Sequence, residues 1–283
     1  MTHKFHSSIL RAYDIRGIYN QTLFDNDAYF VGRCFAKILQ KNNIAVECGI
    51  LKVEAQKINQ DFFKFITQKK PFITVKIATT LDGKIACKNF QSKWISGEKS
   101  RKFAHLLRAQ NQAILIGANT IIQDDPSLDC RLASFENNSP IQIVVSKNLR
   151  FTFNEKFFNN NLSVKKILVC PKNHKENKNL TIWQEKSANN QVIFIDKSSD
   201  MDDFKNILHT IYQQNIKSIL VEGGSSIVTQ LIAQNLVDKL VWVRSKKIIG
   251  NDGIPAIGAL NIADINHSID KFVRTDFLPV TMI

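Results

Sequence analysis

Two adjacent glycines, Gly223 and Gly224, stand where an apolar stretch gives way to hydroxyl residues. Ile219–Val221 precedes them, and Ser225–Ser226 opens an apolar-periodic segment typical of a helix. Glycine lets backbone N–H groups approach a phosphate closely, and the N-terminus of a helix attracts anions. The pattern predicts either a phosphate-binding elbow or an ordinary turn, because the full G-x-G-x-x-G spacing of a Rossmann fingerprint is missing.

Other polar residues that could take part in binding or catalysis lie within or next to predicted strands and helices. Lys76–Ala86 reads as a strand, a turn at Asp82-Gly83 and a second strand, which is typical of a hairpin. Ser96 is predicted to cap a helix that ends near Arg108. Taken singly, Trp94 is more typical of a core residue and Arg108 of a surface charge, so these residues alone do not decide the function.

The elements that must position these residues alternate between strand and helix patterns from Pro71 onward. This alternation predicts an α/β fold with a mostly parallel sheet. Ligands of such sheets bind at the carboxyl ends of the strands. The predicted strands are Phe72–Ala78, Ala113–Ile116, Ile141–Val145, Lys166–Val169, Val192–Ile195, Ser218–Val221 and Lys239–Val243, and the helices Glu98–Ala109, Asp202–Gln213 and Ser226–Asn235.

A small helical segment precedes this α/β region. One amphipathic helix is predicted to open near Asp25 or Asn26, with Phe30, Phe35 and Leu39 among the residues of its apolar face. A second amphipathic helix is predicted through Val53–Ile66, and Pro71 ends it. The Asn- and Lys-enriched stretch 155–190 is predicted to be rich in loops.

Composition narrows the class of protein. Hydrophobic residues make up 44% of the 283 residues and charged residues 22%, as in a globular domain. The net charge of +13 is compatible with binding nucleic acid or a membrane, but Lys and Asn are scattered rather than gathered in one stripe. We therefore predict neither partner. Five widely spaced cysteines without C-x-x-C spacing, no secretory signal and no spanning segment predict a reducing, cytoplasmic location.

In order and spacing, several of these segments together resemble the reductase half of the bifunctional riboflavin-biosynthesis deaminase/reductase family. The resemblance covers about three quarters of the chain, and it implies a dihydrofolate-reductase-like α/β fold and a homodimer. It also implies NADPH-dependent reduction of 5-amino-6-(5-phosphoribosylamino)uracil to the ribitylamino product. The resembling segments are Lys76–Ala86, Ser92–Ile95, Leu106–Gln110, Gly117–Leu128, Val221–Ser225 and Ile248–Gly258.

The resemblance also implies roles for individual residues. Lys76 would be a catalytic cation near the pyrimidine or the developing charge. Arg108 and Arg131 would hold the ribose phosphate, for which a planar guanidinium suits bidentate contact. The other implied substrate-binding residues are Ser92, Leu128 and Glu222. The implied cofactor-binding residues are Ala78, Trp94, Thr120, Asp124, Gly224, Ser225, Ser226, Ile227, Val228, Thr229 and Gln230.

The chain also departs from the family pattern. Ser146 stands where relatives often have Asp, and the segment 275–283 matches the terminal strand of the family poorly. The zinc deaminase signature, H-x-E followed by P-C-x-x-C, is missing: no cysteine follows Cys170, so His174-Lys175-Glu176 is a chance match. We therefore predict no metal site and no deamination.

The N-terminal residues resemble parts of two other enzymes. Residues 43–69 look like the tail of the deaminase domain and its link to the reductase. Ser8–Gly17 and Asp27–Arg33 resemble the extreme N-terminus of phosphomannomutase/phosphoglucomutase enzymes, although the phosphoserine loop and metal-binding cluster of those enzymes are missing. The resulting prediction is a mutase-like fragment at 1–42, a deaminase remnant at 43–69 and a reductase domain at 70–283.

Three hypotheses about function follow. The leading one is an active reductase with the single activity described above. The second is a degenerate fusion that at most binds nucleotide, because the apolar helices at 28–39 and 58–66 have lost their parent domains. The third is a related reductase that acts on another pyrimidine- or pteridine-like substrate. NADPH binding with and without substrate consumption separates the first two, and a substrate panel identifies the third.

Overall fold

The computed structural model of the chain contains two compact units, Met1–Ile58 and Asn59–Ile283. None of the helices within the described residues is long and apolar enough to cross a membrane. Residues 275–283 and part of Ser8–Gly17, for which the sequence analysis made predictions, lie outside the residues that the structure describes. The structure describes residues 3–10, 15–18, 21–47, 49–135, 138–160, 163–196 and 203–272.

The first unit contains helices α1, Asp25–Lys41, and α2, Lys52–Ile58. The predicted opening of α1 at Asp25 is confirmed, and a residue of its first turn stabilises it. The Asp27 carboxylate accepts the Phe24 backbone N–H at 2.8 Å and contacts His3 Nε2 at 2.5 Å. An acidic side chain in the first turn also interacts favourably with the helix dipole.

The second unit is built around a seven-stranded sheet in the order β6-β5-β4-β3-β7-β1-β8, in which every neighbouring pair is parallel. All seven predicted strands are therefore confirmed. The strands are β1 Phe72–Thr79, β2 Lys84–Cys87, β3 Ala113–Gly117, β4 Ile141–Val145, β5 Lys166–Pro171, β6 Asn190–Ile195, β7 Ser218–Val221, β8 Lys239–Arg244 and β9 Gly253–Pro255. The helices are α3 Gln60–Gln68, α4 Glu98–Gln110, α5 Ala118–Asp124, α6 Lys156–Asn159, α7 Lys178–Glu185, α8 Phe204–Tyr212 and α9 Ser225–Ala233.

The register of the central strands aligns their carboxyl ends. Val221 of β7 lies opposite Val75 of β1 and Leu115 of β3, so all three strands end at one edge of the sheet. The central strands, such as β3 and β7, are buried on both faces, as expected for parallel strands. Helices α8 and α9 cover one face, and an aromatic cluster that includes Phe158 and Trp183 covers the other. Each fully buried large apolar side chain contributes roughly 1.5–3 kcal/mol.

Three local predictions were wrong. Strand β2 does not form a hairpin with β1 but pairs antiparallel with β9, with Ala86 opposite Ile254. Gly97, not Ser96, is the N-cap of α4. The single helix predicted through Val53–Ile66 is two helices, α2 and α3, with a break at Asn59.

A turn at Asp82-Gly83 is nevertheless present, and Asp82 links the loop after β1 to the loop before β9. The Asp82 carboxylate accepts the Thr80 hydroxyl and the Gly250 backbone N–H, both at 2.6 Å. The Thr80 hydroxyl, followed by the backbone donors Gly250 and Ile249, lowers the pKa of Asp82 to about 2 despite some desolvation. Gly83 has φ +79°, a conformation that favours glycine. The turn therefore fixes β2 and β9 next to the carboxyl end of β1.

Candidate functional site

A cleft of about 700 Å³ lies at the carboxyl edge of the sheet, in the range typical of small-molecule and cofactor sites. Its walls come from the ends of β1, β3, β4 and β7 and from the loops that follow them. The structure brings most of the predicted site residues together in this cleft. They are Lys76, Ala78, Ser92, Trp94, Thr120, Asp124, Glu222, Gly224, Ser225, Ser226, Ile227, Val228 and Gln230.

Four predicted residues do not line the cleft: Arg108, Leu128, Arg131 and Thr229. The Thr229 hydroxyl is occupied within the fold, since it donates to the Ser225 carbonyl and accepts the Gly258 N–H, both at 2.7 Å. Leu128 is 2% exposed and belongs to the aromatic core cluster. Leu128 and Thr229 therefore support the site from behind.

The glycine elbow connects β7 to α9. Gly223 has φ +123°, where a side chain would be strained, and Gly224 is the N-cap of α9. A Cβ on Gly117 would lie 3.0 Å from Ile227 Cδ1, so α9 packs tightly on β3. The first backbone N–H groups of a helix have no intrahelical acceptor, and the residues of the first turn of α9 line the cleft. The elbow can therefore hold a phosphate.

Gln230, one helical turn along α9, has an unsatisfied polar atom. Its side-chain oxygen is buried and has no hydrogen-bond partner within the described residues. Buried polar atoms are nearly always hydrogen-bonded, so this atom suits a ligand hydroxyl or N–H in the cleft. A Cβ on Gly224 would come within 3.5 Å of Thr120 Oγ1, which shows how closely the elbow faces α5. The residues of the elbow thus fit a nucleotide with hydroxyl and phosphate groups.

A charged pair joins Glu222, which lines the cleft, to Arg108, which lies behind it. Arg108 donates to both carboxylate oxygens of Glu222, at 2.7 and 2.9 Å, and to the Asp129 carbonyl at 2.9 Å. Burial alone would raise the pKa of Glu222, but the charge and hydrogen bonds of Arg108 lower it, with help from Lys76. Burial likewise opposes the charge of Arg108, yet Glu222 raises its pKa. Both side chains are therefore ionised, and a fixed carboxylate faces the half-buried Lys76.

Arg108 and Arg131, which the resemblance assigned to the ribose phosphate, do not line the cleft. Arg108 donates from Nε and Nη2 to Glu222 and from Nη1 to the Asp129 carbonyl, and Arg131 is exposed and contacts Asp129 Oδ1 at 3.2 Å. The two guanidiniums instead share Asp129 as a neighbour behind the cleft wall. Their role as phosphate ligands stays a prediction.

His105 belongs to the same cluster, and sequence reasoning missed it. Its Nδ1 accepts the Arg131 backbone N–H at 3.2 Å. Burial lowers the pKa of His105, and the positive charges of Arg108 and Arg131 lower it further. A signal was available in the sequence, because Arg101, His105 and Arg108 recur at i, i+4 and i+7 and so share one face of α4.

The rim of the cleft carries an aromatic and a carboxyl group. Arg101 lies over the Trp94 ring at 4.4 Å, and Lys247 donates to the Trp94 carbonyl at 2.7 Å. Desolvation raises the pKa of Asp124, while the charge of Lys93 opposes this. Trp94 offers a flat surface for stacking and Asp124 an acceptor for ligand hydroxyls.

In the described ranges of the chain, no three His, Cys, Asp or Glu side chains converge as metal ligands. A parallel sheet whose carboxyl edge carries a glycine elbow, a half-buried lysine and an Arg–Glu pair defines an α/β protein with a cleft for a phosphorylated, nucleotide-like ligand. The chain belongs to the RibD C-terminal domain family, which matches residues 71–275.

Individual relatives agree with this assignment. The chain is 36% identical over 231 residues to the riboflavin biosynthesis protein RibD of Aquifex aeolicus, covering 82% of this chain and 61% of that protein. The solved structure of a diaminohydroxyphosphoribosylaminopyrimidine deaminase/5-amino-6-(5-phosphoribosylamino)uracil reductase from Thermotoga maritima aligns with a TM-score of 0.70 and 27% identity, over 86% of this chain and 64% of that one.

The riboflavin biosynthesis reductase Rib7 of yeast shares the fold, with a TM-score of 0.52 and 21% identity over 70% of this chain and 87% of its own. The predicted dihydrofolate-reductase-like α/β fold is thereby confirmed. The chain spans about three fifths of the length of the curated relatives it matches. The matched part makes up 61–63% of the length of the first three of these relatives.

Proposed function

We propose that this protein reduces 5-amino-6-(5-phosphoribosylamino)uracil to its ribitylamino product with NADPH, and that it does not deaminate. The observation that carries the proposal is the cleft itself. It joins the glycine elbow, Lys76 and the ionised Glu222 at the carboxyl edge of the sheet, in a chain that belongs to the RibD C-terminal domain family. The name of the Thermotoga relative includes this reductase activity.

The proposed reaction assigns work to individual side chains. When bound, NADPH supplies a hydride. Ring opening of the ribose moves a proton from the glycosidic nitrogen to the ring oxygen and leaves an imine carbon at C1′. This carbon then accepts the hydride, and the nitrogen regains a proton. Lys76 stabilises the negative charge that develops on the departing ring oxygen.

The other residues bind and orient. Glu222, fixed by Arg108, accepts hydrogen bonds from the substrate and balances the charge of Lys76. The elbow residues Gly224–Val228 and Gln230 hold the phosphates and hydroxyls of the cofactor. Trp94, Thr120 and Asp124 line the remainder of the cofactor site, and Ser92 lies on the substrate side.

An NADPH-oxidation assay with the deaminated substrate tests the proposal, using Lys76→Met and Lys76→Arg beside the unaltered chain. We expect turnover in the unaltered chain, a loss of about a hundredfold or more in Lys76→Met, and partial rescue in Lys76→Arg. Equal turnover in Lys76→Met would refute the role of Lys76. NADPH binding without turnover in the unaltered chain would favour a degenerate, binding-only protein instead.

The proposal includes three further statements that come from the sequence. The phosphate of the substrate contacts Arg108 and Arg131, and Leu128 packs beside it. The protein forms a homodimer, which light scattering coupled to size-exclusion chromatography tests. Residues 1–42 are a mutase-like fragment and 43–69 a deaminase remnant, neither of them catalytic.

A further inference from the structure

Trp94 lines the cleft with an indole ring that is largely exposed. The exposed fraction of this residue is 62%, which is high for so large an apolar side chain. A side chain this exposed loses conformational freedom when a ligand packs against it, and that loss weakens binding unless the protein already holds the ring. The contacts that hold Trp94 therefore bear on how well the cleft binds a ligand.

The first of these contacts comes from α4. The Arg101 guanidinium lies over the Trp94 ring, 4.4 Å from the ring centroid, and its Nη1 donates to the Ser96 carbonyl at 3.0 Å. A guanidinium is attracted to the face of an indole ring and stacks on it. Arg101 thus covers one face of the ring and leaves the other face for a ligand.

The second contact comes from the loop after β8. Lys247 Nζ donates to the Trp94 backbone carbonyl at 2.7 Å. The backbone of Lys247 is itself anchored, because its carbonyl accepts the Leu81 N–H at 2.7 Å. Two cations from separate elements therefore fix the ring and the backbone of Trp94.

We propose that Arg101 and Lys247 are positioning residues that hold Trp94 so that the open face of its ring stacks on the cofactor. This inference rests on the proposed function, because it takes NADPH as the ligand of Trp94. A ring held before binding loses less freedom when the cofactor arrives. Because neither residue is assigned to the chemical step, the KM for NADPH depends on them and kcat does not.

Binding titrations of NADPH to the full chain test the inference, with Arg101→Met, Arg101→Lys and Lys247→Met. Lys102→Met is the matched control, because Lys102 is the next residue of α4, is exposed and pairs with Glu98. We expect the Kd and the KM for NADPH to rise about fivefold in Arg101→Met and less in Lys247→Met, with kcat nearly unchanged. Arg101→Lys restores most of the affinity, since an ammonium is also attracted to the ring face. The control binds NADPH normally.

Arg101 also lines the cleft, so a double-mutant cycle separates its action through Trp94 from a direct contact with the cofactor. When Trp94→Ala is already present, Arg101→Met causes no further rise in the Kd if Arg101 acts through the ring. A further rise as large as that in the unaltered background shows a direct contact and overturns the inference.

Fluorine NMR of the chain labelled with 5-fluorotryptophan reports on the ring itself. The chain has three tryptophans, and the Trp94 signal is the one missing from Trp94→Ala. We expect this signal to shift in Arg101→Met, while the signal of Trp183, which is buried in the aromatic core cluster, stays in place and shows that the fold is intact.

The outcomes distinguish this inference from the proposed function. An unchanged Trp94 signal and an unchanged Kd in Arg101→Met overturn the inference, and so does a loss in Lys102→Met as large as that in Arg101→Met. If every variant binds NADPH as the unaltered chain does, only this inference fails. If the unaltered chain does not bind NADPH, the proposed function fails with it.

Discussion

Arg108 directs its donors to two protein acceptors, the Glu222 carboxylate and the Asp129 carbonyl, rather than to open solvent. The side chains of Arg108 and Glu222 are 13% and 10% exposed, so neither charge is well solvated. A pair buried to this degree is costly to break, because the remaining charge stays in the protein without compensation. The pair therefore serves both stability and the orientation of Glu222.

The first prediction concerns this pair. Glu222→Gln removes the charge but keeps the shape of the side chain, so we expect a loss of about 3 kcal/mol in the free energy of unfolding near neutral pH. Because the folded state lowers the pKa of Glu222, the stabilisation is present above the ordinary value of 4.5 and is lost as the pH falls below it. The difference between variant and unaltered chain should therefore shrink in acid.

Denaturant unfolding at several pH values measures this difference. Glu98→Gln is the control, since Glu98 forms an exposed pair with Lys102 on the same helix, α4, and its loss should leave the unfolding midpoint unchanged. An equally small effect for Glu222→Gln would contradict the account.

The second prediction concerns His105. The pKa of His105 is lowered in the folded state. As the pH falls, the unfolded chain therefore binds a proton at this residue at a higher pH than the folded protein does. Stability supplied by neutral His105 is present above its ordinary pKa of 6.5 and is lost as the pH falls below it. In His105→Gln, the thermal midpoint should fall less between pH 7 and pH 5 than in the unaltered chain. Parallel curves from scanning calorimetry would show that the imidazole does not titrate in this way.

At the scale of elements, the site depends on how β7 meets α9. Gly223 adopts φ +123°, whereas Gly224 has φ −75°, which any residue can adopt. Gly117 allows α9 to approach β3, because its Cβ would meet Ile227 at 3.0 Å. The glycines therefore have different tasks: Gly223 provides the turn and Gly224 leaves room in the cleft.

The third prediction separates these tasks. Gly223→Ala should lower stability by about 1–2 kcal/mol, because a side chain is strained at this φ. Gly224→Ala should fold with nearly normal stability, since its Cβ would make an ordinary 3.5 Å contact with Thr120, but it should bind NADPH more weakly. Thermal unfolding and fluorescence titration of both variants measure this. Normal NADPH affinity in Gly224→Ala would argue against phosphate at the elbow.

Much of the element plan could be predicted because it depends on local patterns. The apolar runs of the seven sheet strands and the glycines before α9 are strong local signals. The pairing of β2 with β9 could not be predicted, since Ala86 and Ile254 are far apart in sequence and each has a short, ambiguous strand pattern. The short helices α5, α6 and α7 were missed because they span only one or two turns.

The candidate site was predictable in part for the same reason. Residues towards the carboxyl ends of strands, such as Lys76 within β1 and the elbow after β7, lie in the cleft because parallel strands share one carboxyl edge. The partners of Arg108 are Glu222, which follows β7, and the Asp129 carbonyl, and no sequence pattern specifies these contacts. The hydrogen bond from the Arg131 backbone N–H to His105 likewise required coordinates.

At the scale of the whole molecule, every residue assigned to the cleft belongs to the second compact unit, Asn59–Ile283. That unit also contains α3, which is anchored by Lys64 to Asp238 at 2.5 Å and by Phe65 against Tyr212 at 4.7 Å between ring centroids. The first unit contributes no residue that lines the cleft within the described part of the chain.

The fourth prediction follows from this division. A chain that begins at Asn59 should bind NADPH with the affinity of the full chain. A chain that begins at Phe72 lacks α3 and the Lys64–Asp238 ion pair, so it should unfold at a lower temperature. Calorimetry and titration of the two truncations measure these effects. A loss of cofactor binding on removal of residues 1–58 would show that the first unit takes part in the site.

The central claim is that this cleft transfers hydride from a bound dinucleotide to C1′ of the phosphoribosylaminopyrimidine. The most direct measurement incubates the purified chain with the substrate and NADPH that carries deuterium at C4, on either face, and locates the label by mass spectrometry and NMR. We predict that NADPH labelled on one of the two faces of C4 gives a ribitylamino product with one deuterium at C1′. A product without deuterium from either face, or no product at all, would contradict the account.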